Sequence, residues 1–147
     1  TIARAIREND FPGIVYGQTN IVDNEGNTLG RRHLTAPEKL TLASFADGML
    51  VCHQAFVALR RICGTYDLRY RFSADYEWCI RCLQHSRHNA GLTDTVFIDY
   101  LNEGVTSSNK ISSLLERFRI MAYYYGWLPT VARHIKFAGR ALKRRLK

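Results

Sequence analysis

Arg71-Phe72-Ser73-Ala74-Asp75-Tyr76-Glu77-Trp78-Cys79-Ile80-Arg81 is the stretch on which the fold turns. Ser73 is a good N-cap residue, and the run after it predicts a helix through about His85. With Ser73 as cap, Asp75 falls in the first turn, where the helix dipole favours a negative charge. Asp75 also shares a register with Trp78, Cys79 and Cys82, the face expected to turn inward. Such an acid is either a plain first-turn carboxylate or one held at a cleft. Glu77 stands four residues before Arg81 and is expected to form half of a surface ion pair with it.

Cys79-Ile80-Arg81-Cys82 has the CxxC form, but zinc would need a second close ligand pair, and Cys52 and Cys63 lie too far apart to supply one. The four cysteines are expected to be reduced, partly buried thiols of a cytoplasmic protein.

Upstream of the helix, Ile14-Val15-Tyr16 and Asn20-Ile21-Val22-Asp23 are strand-like, Asn24-Glu25-Gly26-Asn27 is a turn, and residues 28–34 return as a second strand. Thr35-Ala36-Pro37-Glu38 has the form of a capping box with proline in the first turn, so a helix is expected from there to about Asp47-Gly48. Met49-Leu50-Val51-Cys52-His53 is expected as a buried strand or a strand running into a turn. Residues 54–61 could be either strand or short helix. His53-Gln54 follows the apolar run, where a strand delivers side chains to the edge of a sheet, or it sits in a packed turn. Downstream, residues 95–100 form a strand and 102–106 a loop. A long helix begins near Ser107 or Ser108, with Ile111, Leu114, Leu115, Phe118, Met121, Ala122 and Tyr125 stepping by threes and fours. Gly126 ends it and Pro129 opens another. Strands alternating with helices give an α/β class.

With 147 residues the chain can bury a core, and 46% hydrophobic with 23% charged residues is ordinary for a globular protein. No run of about 18 apolar residues predicts a membrane span, and no signal peptide is visible. Thr1 to Arg7 reads as the end of an amphipathic helix, so the chain is expected to be a piece of a longer protein. The net charge of +8 is uneven: residues 129–147 carry seven positive charges and no acid, which leaves +1 for the rest.

Taken in order, Val15-Tyr16-Gly17, Val22-Asp23 with Gly26, His53-Gln54-Ala55-Phe56, and Ala74-Asp75-Tyr76-Glu77 with Arg81 resemble the second half of family-2 glycosyltransferases. The likeness is strongest to the bacterial enzymes that build surface polysaccharides, and it covers residues 1 to about 126. It implies a partial GT-A fold: a mixed sheet with flanking helices, one edge or face unfinished, and helices added at the C-terminus. Residues 1–126 would be the C-terminal portion of the catalytic domain and 127–147 a basic amphipathic helix. In that family the acid at a helix start is the general base, and Asp75 matches it. It would take a proton from an acceptor hydroxyl attacking a nucleotide-activated sugar, with inversion. His53 and Gln54 match a His-Gln pair lining the site, and Glu103 and Gly104 match a late glycine-containing loop. These two pairs would contact substrate.

The partners implied are a nucleotide-sugar donor and a saccharide or lipid-linked acceptor. A divalent metal, manganese or magnesium, would hold the leaving diphosphate through an Asp-x-Asp motif. Asp23-Asn24-Glu25 is the nearest imitation, but the family places its metal ligands before the point where this chain starts. The chain alone is therefore expected to be inactive. The processive signature Gln-x-x-Arg-Trp is absent, which favours transfer of single sugars. Residues 129–147 would suit the inner face of an anionic membrane, giving a cytoplasmic, peripheral location; alternatively their apolar stripe, Val131, Ile135, Ala138 and Leu142, packs on the body. Competing functions are a non-catalytic basic module for a membrane surface or nucleic acid, and a non-catalytic interaction domain related to the transferases. Nucleic acid is disfavoured by the near-neutral body and by a tail with Phe137 as its one interleaved aromatic.

Overall fold

The computed structural model describes residues 2–101 and 109–145. In chain order the elements are α1 (Ile2–Glu8), β1 (Ile14–Val22), β2 (Thr28–Arg31), α2 (Leu42–Phe45), β3 (Phe56–Ala58), α3 (Ala74–His85), β4 (Asn89–Leu101), α4 (Lys110–Tyr125) and α5 (Trp127–Arg145), with single helical turns at His53–Ala55 and Arg60–Ile62. The mixed α/β class follows from the sequence as expected.

β1 is the axis of the sheet. It pairs antiparallel with β2 through Asn20, Ile21 and Val22, and antiparallel with β3 through Ile14, Val15 and Tyr16. It pairs parallel with β4 along its whole length, from Ile14↔Asn89 to Val22↔Leu101. A strand has two hydrogen-bonding edges, so β2 and β3 share one and β4 holds the other. The far edge of β4 has no strand partner among the described residues.

Side chains of β1 alternate between two cores. Ile14 and Tyr16 enter the main cluster with Phe45, Met49, Val51, Phe56, Tyr76, Cys79, Ile80, Ile120 and Met121. Val15 faces the other way, onto Ala5 of α1 and Ala90 of β4. Burial on both faces explains why β1 reads as apolar throughout its first half. Gly17 is required by its neighbour: a Cβ there would lie 2.3 Å from Cδ1 of Phe97.

The hairpin turn is built by Asp23, whose Oδ1 accepts from the backbone N–H of Glu25 and Asn27 at 3.0 and 2.8 Å, with Gly26 at a φ of 85°. The β2 strand is shorter than expected and fully exposed.

Residues 35–40 do not form the expected helix. Their polar backbone is claimed by side chains distant in sequence. Gln18 accepts from the Ala36 N–H and donates to its carbonyl, both at 3.0 Å. The Tyr16 hydroxyl lies 2.9 Å from the carbonyls of Pro37 and Glu38, and Asn89 donates to Leu40. A helix would need those same groups. The helix begins instead at a capping box of Thr41 and Ser44, and it is one turn long. Residues 49–52 are not a strand either. Both edges of β1 are occupied, and the segment serves by delivering Met49 and Val51 to the core. The ambiguous stretch 54–61 contains both elements, β3 followed by a helical turn.

α4 buries Ser113, Ile120 and Met121, while Ile111, Leu114 and Leu115 on its first turns are exposed. Gly126, at a φ of 88°, turns the chain into α5. The face of α5 that packs is not the Val131–Ile135–Ala138 stripe. Thr130 is fully buried, His134 meets Phe118 edge-on and Phe137 at a tilt, and Phe137 reaches the main core. Ile135 is 69% exposed. The side chain of Leu142 lies outside the described residues.

Candidate active site

α3 begins at Ala74 with Ser73 in the N-cap position, but the Ser73 hydroxyl does not cap the helix. It lies 3.3 Å from the Ser113 carbonyl and 3.4 Å from the Ser113 hydroxyl of α4. Two carboxylates bind backbone N–H groups around the helix start, one before the N-cap and one in the first turn. Glu116 of α4 accepts from the N–H groups of Arg71 and Phe72 at 2.9 and 2.8 Å. Asp75 Oδ1 accepts from the N–H of Tyr76 at 2.8 Å. Unsatisfied N–H groups at a helix start favour an acid there.

The second oxygen of Asp75 faces the turn before β3. Oδ2 lies 3.3 Å from Nδ1 of His53, and the two side chains are 32% and 36% exposed. The structure thus brings together Asp75 and His53, which the sequence keeps apart. Gln54, next in the chain, is exposed and makes no contact with Asp75 among the described hydrogen bonds and ion pairs. Glu103 and Gly104 lie outside the described residues. Neither Asp75 nor His53 lines any of five cavities mapped on the described residues. Their contact is a partly open surface.

The sequence did not single out Cys52 and Arg32, which complete the electrostatics here. A hydrogen bond to Cys52 raises the His53 imidazole above its ordinary value; burial opposes this, and the Asp75 charge adds to the rise. Burial alone would push the Cys52 thiol up, but the hydrogen bonds from His53 and the Gln54 backbone, with the His53 and Arg32 charges, bring it below its ordinary value. Arg32 donates to the carbonyl of Leu34 at 3.0 Å, and burial lowers its pKa against the fields of Cys52, Tyr100 and Asp75. A carboxylate held by one oxygen and steadied by an imidazole at the other can accept a proton from a bound hydroxyl.

Glu77 departs from expectation. It pairs with Arg81 at 3.0 and 2.9 Å, but it is only 4% exposed and also accepts from the Tyr124 hydroxyl of α4 at 2.5 Å. The pair is buried on its acidic side, and the group that buries it comes from α4, 47 residues away in sequence.

All four cysteines are free. Burial raises the thiol of Cys79 well above its ordinary value and pushes that of Cys82 up to about 12. No group of three or more His, Cys, Asp or Glu side chains that could hold a metal ion occurs among the described residues. Both Asp23 carboxylate oxygens are engaged in the hairpin turn, Oδ2 by Asn27. The described residues therefore do not fit the divalent metal of the resemblance. No described helix is long and apolar enough to cross a membrane. No family model, curated protein or solved structure matches the chain.

Proposed function

We propose that this chain is the acceptor-side portion of an inverting glycosyltransferase with Asp75 as its general base. The observation that carries the proposal is the 3.3 Å contact between Asp75 Oδ2, at the start of α3, and His53 Nδ1, before β3. These residues belong to two of the motifs that carry the resemblance, and one catalytic surface would require them to meet. The open edge of β4 fits a sheet continued by other strands.

In the reaction, the acceptor hydroxyl gives its proton to Asp75 as its oxygen bonds to the anomeric carbon of the donor. The bond from that carbon to the diphosphate oxygen breaks, and the nucleoside diphosphate leaves with the electron pair. His53 orients the carboxylate and is a positioning residue. On this reading the nucleotide-binding segment and the ligands of any divalent metal would be supplied from outside the described residues, and no step is assigned to a metal here. The test is sugar transfer by the full-length gene product, with Asp75→Asn expected to abolish it.

We further propose that α5 rests on an anionic membrane surface, placing the enzyme at the cytoplasmic face. The support is the uncovered apolar side of α5. Trp127, Leu128 and Ile135 are 65%, 79% and 69% exposed, on a helix that also carries Arg133, Lys136, Arg140 and Lys143. Sedimentation with vesicles tests this.

A further inference from the structure

We propose that the cavity between α4, α5 and the loop after α2 is a binding site for a small phosphate or diphosphate group, gripped by Arg117 and Arg140. The cavity is about 210 Å³ and is lined by these arginines with His33, Leu34, Asp47, Gly48 and Phe137.

Its charge is unbalanced. Asp47 is the acid in its lining, and Asp47 already faces Arg133 at 3.8 Å. Neither Arg117 nor Arg140 has a carboxylate within ion-pair distance among the described residues. Both are held by aromatic rings instead. The Arg117 guanidinium sits 5.3 Å from the centre of the Tyr76 ring, and that of Arg140 sits 4.9 Å from the centre of Phe137. Such stacking fixes the plane of a guanidinium while leaving its N–H edge available.

The Nε of Arg117 is buried and has no hydrogen-bond partner. A buried donor without a partner is costly, the more so on a charged group, and it leaves the Arg117 guanidinium short of its full set of acceptors. Gly48, at a φ of 118°, carries the backbone along the cavity wall where a side chain would be strained.

Arg117 stacks on Tyr76, the residue after Asp75 in the first turn of α3, so the cavity adjoins the helix start that carries the proposed base. The anion is therefore assigned to a phosphate-bearing acceptor. That assignment rests on the glycosyl-transfer proposal; the anion site itself does not.

The test is calorimetric titration of the 147-residue chain with sodium pyrophosphate at low salt, with sulfate at matched ionic strength as reference. Saturable pyrophosphate binding is expected, weakened by about tenfold or more in Arg117→Gln and severalfold in Arg140→Gln. Arg117→Lys, which keeps the positive charge, guards against misfolding and should bind more weakly than wild type and more tightly than Arg117→Gln. Arg69→Gln, on an exposed arginine paired with Asp67, should bind as wild type. No saturable binding, or equal binding by wild type, Arg117→Gln and Arg140→Gln, overturns the site; so does an equal loss in Arg69→Gln. A parallel arm uses phosphatidylglycerol vesicles. If the two substitutions weaken vesicle binding and leave pyrophosphate binding intact, the arginines serve a lipid surface and the small-anion site is refuted. Asp75→Asn should keep pyrophosphate binding. If it also keeps sugar transfer, the catalytic proposal fails while the anion site stands.

Discussion

Replacing Glu77 by alanine should destabilise the fold by about 3 kcal/mol, because it leaves a partly buried arginine and a tyrosine hydroxyl without their acceptor. Glu77 accepts three short hydrogen bonds, two from Arg81 and one from Tyr124, and its carboxylate is nearly inaccessible. Breaking a buried pair by removing one partner costs about 3–5 kcal/mol. The lower end applies because the Arg81 side chain is 27% exposed and keeps its bond to the Thr65 carbonyl at 2.7 Å. For a chain of this size that is a fall in Tm of roughly 6–12 °C. Tyr124→Phe alone should cost about 1 kcal/mol, since the ion pair survives it. Urea unfolding of the two single variants and the double variant should show the tyrosine contribution vanish once Glu77 is gone. A Glu77→Ala loss below about 0.5 kcal/mol, the range of an ordinary surface substitution, would refute burial of this cluster.

Gly17→Ala forces a methyl into the Phe97 ring at 2.3 Å and should cost about 1–3 kcal/mol, with partial recovery in Gly17→Ala/Phe97→Leu; thermal unfolding checks both. The His53 imidazole should titrate above its ordinary 6.5 in an NMR pH series, and Cys52→Ala or Asp75→Asn should each lower the midpoint. Because the folded pKa is raised, the contribution of His53 to stability is complete below about 6.5 and is lost as pH rises through the folded midpoint. Vesicle sedimentation should need anionic lipid, weaken with salt and disappear on deletion of residues 129–147, each basic residue adding ~1 kcal/mol; equal binding to neutral vesicles would remove the membrane proposal.

Local signals carried much of the fold. The Asn24–Asn27 turn, the helix of Ala74–His85 and the stepped apolar positions of α4 were all readable, since turn chemistry and periodicity act over a few residues. The misreadings have a common cause in distant partners. Thr35–Glu38 had a helix start signal, but Tyr16, Gln18 and Asn89 bind that backbone in an irregular path. Glu77 was paired correctly with Arg81, yet nothing near it in sequence announced Tyr124. The stripe of α5 was correct as periodicity and wrong as a packing face, because Thr130, His134 and Phe137 meet the body instead. At the site, Asp75 and His53 were readable as candidates through the resemblance. Their contact, and the part of Cys52 and Arg32 in it, depended on how the turn before β3 meets the start of α3.

The central claim is that Asp75 removes the acceptor proton, and it is tested by comparing wild-type and Asp75→Asn full-length gene product with radiolabelled nucleotide-sugars and an acceptor. The amide keeps the shape of the side chain and one acceptor oxygen but cannot serve as the base. Transfer should fall by about 10²–10⁴-fold while donor binding stays close to wild type. Turnover by Asp75→Asn at the wild-type rate would contradict the account.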